Sequence, residues 1–198
     1  MYIKSEYPFR WRYEYVPTYY EGLSDEQNKI QKMVLAFKNG DYDDDIMAWY
    51  RRQIYKVVKG EEYAWVVCFL PCTNDVRKHI RFQKLATYLS KHTKVPVFLD
   101  TFGFVDEERG PSHHEGKRAI SETEIAIHLP DIFVKNVILI DDIITTGRLF
   151  NATAKAAELA GANAIHGLFL AKAIQPDLPQ KPKRAYDDWY FEECADKE

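Results

Sequence analysis

Residues 137–147 hold the densest chemistry in the chain. Four apolar residues, Val137 to Ile140, precede two adjacent carboxylates, Asp141 and Asp142, and after Ile143 and Ile144 come Thr145, Thr146 and Gly147. A short run of branched apolar residues reads as a strand buried on both faces. The carboxylates then stand at its C-terminal end, where ligands bind in open α/β sheets. The Thr-Thr-Gly turn leads into a helix at about Arg148. Such a turn offers backbone N–H groups, two hydroxyls and a helix N-terminus to one phosphate. Carboxylates so close would repel that phosphate, so they must address another part of the ligand. Hydroxyls and a hydrated magnesium ion are their natural partners. The pattern points to a phosphorylated polyol with a metal; the bland alternative is a carboxylate-capped loop before an ordinary helix start.

The elements around this segment follow from periodicity. Residues 8–20 alternate aromatic and charged side chains, with Trp11, Tyr13 and Tyr15 against Arg10, Arg12 and Glu14. That pattern predicts an edge strand or hairpin, or else a surface on which bases stack. Ser24 and Gln27 form a capping box for a helix burying Ile30, Met33, Val34 and Phe37 and ending at Gly40. A second helix carries Ile46, Trp49, Tyr50, Ile54, Val57 and Val58 inward and stops at Gly60. The cluster Asp41, Asp43, Asp44 and Asp45 is expected at its N-terminus, where negative charge is favoured. Residues 63–70 predict a buried strand. A helix with Val76, Ile80, Leu85 and Leu89 inward follows, then a strand over 95–99 with Pro96 near its start. Residues 103–118 predict a long polar loop, residues 119–129 a short helix, 136–140 a third buried strand, 148–160 an alanine-rich helix and 163–170 a fourth strand. This order implies an α/β fold: a Rossmann-like parallel sheet with right-handed crossovers. The expected divisions are an N-terminal aromatic segment over 1–22, a core over 23–172 and a C-terminal strap over 173–198. Tyr186, Trp189, Tyr190 and Phe191 are expected to dock that strap.

Composition bounds the class. The chain has 198 residues, 46% hydrophobic and 29% charged, with a formal net charge of -3. One globular domain of that size needs no disulfide or metal staple. The charge argues against a broadly basic nucleic-acid binder. Cys68, Cys72 and Cys194 cannot all pair and show no zinc-ribbon spacing, which suits a reducing cytoplasm. The N-terminal residues show no secretory pattern, and no segment approaches the ~20 apolar residues of a membrane span.

Residues 137–147 resemble the phosphoribosyl pyrophosphate (PRPP) signature of type I phosphoribosyltransferases: four apolar residues, two acidic residues, two further residues, then Thr-Thr-Gly. The resemblance implies that fold and a magnesium-dependent transfer of the ribosyl group to a nitrogen acceptor, with Asp141 and Asp142 holding the ribose hydroxyls and, through Mg-PRPP, the metal. It implies that Ile143, Ile144, Thr145, Thr146 and Gly147 wrap the 5′-phosphate. It assigns Pro71, Cys72, Thr73 and Asn74 to a pyrophosphate loop, and Lys117 and Arg118, in the long loop, to further pyrophosphate contacts. Leu149 departs from the family, which often has threonine there. A narrower resemblance, to the competence protein F branch, rests on Phe37-Lys38-Asn39-Gly40 and on Arg77, Arg81, Phe82, Leu85 and Ala86, without that branch's zinc module. It raises the alternative of a non-catalytic PRPP-binding protein acting with nucleic acid through Arg10, Arg12, Lys181, Lys183 and Arg184. Dimerisation is plausible for the family, and the acceptor is not readable: the resemblance places base selectivity in a small variable hood, here built from the 1–22 segment and the C-terminal strap.

Competing motifs fail. Val137–Asp142 is similar to a Walker B strand, but Gly110 to Gly116-Lys117-Arg118 has one spacer too many for its phosphate loop and Arg in place of Ser or Thr. There is no GxGxxG. His113-His114-Glu115 would place adjacent histidines on one ion, which rarely converge, and His79, His92, His128 and His166 lack ligand spacing. Cys72 has no neighbouring histidine to activate it.

Overall fold

The computed structural model describes residues 5–105, 120–128 and 132–181. In chain order these form β1 (Phe9–Tyr15), α1 (Asp25–Lys38), α2 (Asp44–Val58), β2 (Trp65–Phe69), α3 (Asp75–His92), β3 (Val97–Phe98), β4 (Phe102–Phe104), β5 (Ile125–Ile127), β6 (Asn136–Ile144), α4 (Arg148–Leu159) and β7 (Ala164–Ala173). Five strands make one parallel sheet in the order β1-β7-β6-β2-β3, and β4 pairs antiparallel with β5 beside it. The α/β class expected from the sequence is the one observed, with the aromatic N-terminal strand at the sheet edge.

Both sheet faces are covered, which explains the continuous apolar runs. Val67 and Phe69 of β2 and Ile138 and Ile140 of β6 pack against α1, α2 and α3, through Phe37, Tyr50, Ile54, Phe82 and Leu89. Their alternates, Val66, Cys68, Val137 and Leu139, pack against α4 and the β4/β5 pair, through Phe150, Ala154, Phe102 and Ile125. Each face thus takes every second residue of the same strands.

Local capping follows the sequence closely. Ser24 and Gln27 complete a reciprocal capping box on α1, and Asp43 accepts from the Ile46 N–H to cap α2. Gly40 ends α1 at φ +77°, and a Cβ there would lie 2.4 Å from the Ile80 carbonyl oxygen. Helix α3 therefore backs directly onto the turn that follows Lys38. Gly40→Ala should destabilise the protein by about 1–3 kcal/mol, since it adds both left-handed strain and a clash with backbone. A urea titration showing an unchanged midpoint would contradict that tight approach.

Three expectations are corrected. Val76 and Ile80 do not point inward: they are 68% and 52% exposed. The buried stripe of α3 is Lys78, Phe82, Leu85, Ala86 and Leu89, about half a turn away from them. Residues 119–129 do not form a helix where they are described. The Ser121–Glu124 capping box closes only one 3-10 turn, and Ile125 and Ile127 then alternate as a strand against Phe102 and Phe104. The crossover from β3 to β6 consequently carries a β-ribbon among its described residues. Finally, β6 does not stop at Ile140. The long β7 continues to pair with it, Asp141 with Phe169, Ile143 with Ala171 and Ile144 with Lys172. Ile143 and Ile144 belong to the strand, and the turn itself is Thr145-Thr146-Gly147.

Candidate active site

Parallel strands bring their C-terminal ends to one edge, and this edge gathers most of the residues singled out above. The Leu70 N–H donates to the Ile140 carbonyl (3.0 Å), which sets Pro71–Asn74 beside the acidic pair. Asn74 is engaged locally, its side chain accepting from the Arg77 N–H (2.9 Å) to cap α3. Beyond Ile144, Thr145 is exposed and Thr146 half-buried, and Gly147 takes φ +79°, ψ 0° at the N-cap of α4. Gly147, as N-cap, brings no side-chain cap to this helix. The Thr146 hydroxyl accepts weakly from the Arg148 N–H (3.4 Å). A helix of 12 residues preceded by a glycine in the left-handed region suits an anion at its N-terminus. Leu149 packs against the α4 side of the core, so the position where the family often has threonine serves packing here.

The acidic pair sits in a charged cluster built by the opposite helical layer. Asp142 is 3% exposed, with its Oδ2 3.0 Å from the Lys38 Nζ and 3.3 Å from the Arg81 Nη1. Arg81 lies 3.8 Å from Asp141 Oδ1. The Tyr50 hydroxyl donates to the Asp141 carbonyl (2.9 Å). The side-chain alternation slips across this pair: Ile140 and Ile143 both pack on the α1–α3 side, and Ile144 on the other. In step with that slip, the Asp142 N–H donates to Asp141 Oδ1 (2.8 Å) and the Ile143 N–H to Asp142 Oδ1 (2.7 Å).

Electrostatics split the two carboxyls. Burial, and then the charge of Asp142, push Asp141 up to about 8. Burial also opposes ionisation of Asp142, but the Lys38 ammonium and the Arg81 guanidinium outweigh it and hold that carboxyl well below its usual range. Tyr50 is raised by burial and by both aspartates, so it stays a donor.

Sequence reasoning assigned no role to Lys38, Arg81 or Tyr50, although Lys38 and Arg81 stood among the residues of the narrower resemblance. It also took no notice of Lys78. That side chain is 2% exposed, donates to the Phe102 carbonyl (3.0 Å) and lies 3.4 Å from Asp100, tying α3 to the start of β4. A polar residue on the buried stripe, at i-4 from Phe82, was the available signal. Lys117, Arg118, His113, His114, Glu115, Lys183 and Arg184, with the aromatics Tyr186, Trp189, Tyr190 and Phe191, lie outside the described residues. Two of the arginines considered for nucleic acid have protein partners: Arg12 pairs with Asp45, and Arg10 donates to Gln53 (3.2 Å). Arg10 and Gln53 line a groove of about 230 Å³ with Phe9, Trp11 and Trp49, at the β1 edge. The acidic pair, two strands away on β6, takes no part in it.

Among the described residues, no three His, Cys, Asp or Glu side chains converge as a metal site. One Asp142 oxygen is taken up by Lys38 and Arg81, so Asp141 is the carboxyl of the pair with the fewer cation contacts. No described helix is long and apolar enough to cross a membrane.

No family model matches the chain. A ribose-phosphate pyrophosphokinase from Thermococcus kodakarensis is 42% identical over 71 residues, a match spanning 32% of this chain and 25% of that protein. Solved structures include a hypoxanthine-guanine phosphoribosyltransferase from Bacillus anthracis, 19% identical with a TM-score of 0.40 over 76% of this chain and 74% of that one. A hypoxanthine phosphoribosyltransferase from Trypanosoma cruzi, in complex with the product IMP, is 13% identical with a TM-score of 0.42, over 71% and 68% of the two chains. At such scores these two likenesses carry no argument about activity.

Proposed function

We propose that this chain is a phosphoribosyltransferase that uses PRPP. The observation that supports it best is one junction: an acidic pair at a strand end, two strand residues before a Thr-Thr-Gly turn and a helix whose N-cap is glycine, at the C-terminal edge of a parallel sheet. The likeness to a ribose-phosphate pyrophosphokinase from T. kodakarensis supports this reading. In the reaction, a nitrogen on the acceptor forms a bond to the anomeric carbon. The bond from that carbon to pyrophosphate breaks, its electron pair leaves with pyrophosphate, and the nitrogen gives up a proton. The protein's part is to position and to stabilise charge. The Thr145–Gly147 turn holds the 5′-phosphate, Asp141 faces the ribose hydroxyls, and Pro71–Asn74 lies against the pyrophosphate. Lys117 and Arg118 are assigned to pyrophosphate by sequence position. Magnesium, bound with PRPP, would offset charge on the departing pyrophosphate.

On the acceptor side we favour the segment after β7. The Ile174 N–H donates to the Tyr15 carbonyl, Tyr20 bridges to Gln180, and the Lys181 N–H donates to the Tyr19 carbonyl. This strap and Tyr19–Tyr20 follow β7 and β1 at the same sheet edge as the acidic pair.

The test is titration calorimetry of the full chain with PRPP, with and without magnesium, followed by a pyrophosphate-release screen across purine, pyrimidine and simple amine acceptors. Magnesium-dependent binding and pyrophosphate release with one acceptor class are expected. Binding without release from any acceptor would favour the non-catalytic PRPP-binding alternative, and a folded protein that binds no PRPP would overturn both.

A further inference from the structure

Each helix of one layer sends a single polar group to the acidic pair: Lys38 closes α1, Tyr50 stands in α2 and Arg81 in α3. A lysine in the last turn of a helix is ordinary on its own, because it complements the helix dipole. Lys38 goes further, reaching 3.0 Å from a carboxylate that is itself 4% exposed. Arg81, 16% exposed, straddles both aspartates. The result is a compact group of two cations and two carboxyls under the end of β6, with Asp142 the ionised one of the pair. Gly40 and Ile80, in van der Waals conflict if a Cβ is added, lock α1 and α3 together at that point.

We propose that Lys38 and Arg81 are positioning residues that hold Asp142 as an internal counter-ion on the helical side, leaving Asp141 as the carboxylate that meets the ligand. The argument is one of geometry and charge balance. Burying two adjacent carboxylates without cations is costly, and a buried ion pair broken on one side leaves an uncompensated charge. Removing one cation and one anion together leaves the net charge of the group unchanged. The two carboxylates of the motif therefore have separate duties: Asp142 secures the strand end from which the Thr145–Gly147 turn departs, and Asp141 serves the ligand. The ligand half of this inference rests on the proposed PRPP reading, whereas the brace itself does not.

A double-mutant cycle tests both halves. In urea unfolding, Lys38→Met and Asp142→Asn should each shift the folding equilibrium at least tenfold towards the unfolded state. The double variant should lose far less than the product of the two. If Asp142→Asn does not fold, recovery of a folded protein on adding Lys38→Met supports the brace, and failure to recover overturns it. Independent, multiplicative losses also overturn it, whatever the ligand. In PRPP calorimetry well below the melting temperature, Asp142→Asn should weaken binding at least tenfold, and adding Lys38→Met should recover at least fivefold. Lys38→Arg should retain more affinity than Lys38→Met. A folded double variant as weak as Asp142→Asn alone would show that Asp142 meets the ligand itself, against the inference. Absence of PRPP binding by wild type would remove the proposed reaction and the ligand half, while the unfolding cycle still decides the brace.

Discussion

Asp141→Asn is expected to abolish PRPP binding, with an affinity loss of about 100-fold or more, while making the folded protein more stable. Both effects have one cause. A carboxylate at Asp141 is buried beside the ionised Asp142, so the folded chain holds it at an energetic cost for the sake of what it can bind. Asparagine keeps the oxygen that accepts from the Asp142 N–H and removes the charge. The pH dependence follows from linkage. An unfolded aspartate titrates near ~3.9, and in the fold Asp141 titrates at about 8. Between those values the folded state holds the extra proton, so wild type loses stability from this group as pH rises. The variant lacks that loss. Its advantage should therefore be small near pH 4, grow with pH, and level off above about 8, at roughly 5 kcal/mol. Thermal unfolding of both proteins across this range checks it. A variant less stable than wild type at pH 8 would contradict the electrostatic account of Asp141.

Gly147→Val should cost at least ~30-fold in PRPP affinity with little change in how the acceptor side is built. The residue takes φ +79°, a conformation that a β-branched side chain adopts only under strain of ~1–3 kcal/mol. The strain falls where the N–H groups entering α4 must point at a phosphate. Valine would either pull the turn into another conformation or raise the free energy of the binding-competent one. Calorimetry with PRPP and with ribose 5-phosphate, which share the 5′-phosphate, separates the possibilities. Parallel losses for both ligands place the phosphate at this turn; a loss confined to PRPP would move the 5′-phosphate elsewhere.

Much of the architecture was legible before any coordinates, because it rests on local rules. The capping box at Ser24 and Gln27, the Asp43 cap and the stop at Gly40 are decided by side chains within a few residues of the backbone groups they satisfy. The apolar runs over β2 and β6 announced strands buried on both faces, and the sheet buries them so. The misreadings share a different origin. Val76 and Ile80 are apolar and four residues apart, as an inward face would be, but α3 is rotated so that Lys78 and Phe82 face the interior. The segment after Ser121 carries a good helix start, yet pairing of Ile125 and Ile127 with Phe104 and Phe102 wins over it. In both cases a contact distant in sequence outbid a local preference.

The candidate site divides along the same line. The pattern behind the phosphorylated-polyol reading lies in eleven consecutive residues, 137–147, because the strand end, the carboxylates and the turn are contiguous. Which carboxylate is available could not be read there. That depends on Lys38 and Arg81, which precede Asp142 by 104 and 61 residues yet lie 3.0 and 3.3 Å from it once α1 and α3 pack on one face of the sheet. Sequence by itself determined the strands, the caps and the motif, since each is an interaction among near neighbours. Tertiary structure alone decided which charges surround each carboxyl of the acidic pair, because burial and Coulomb attraction depend on distance through space and on the water that packing removes.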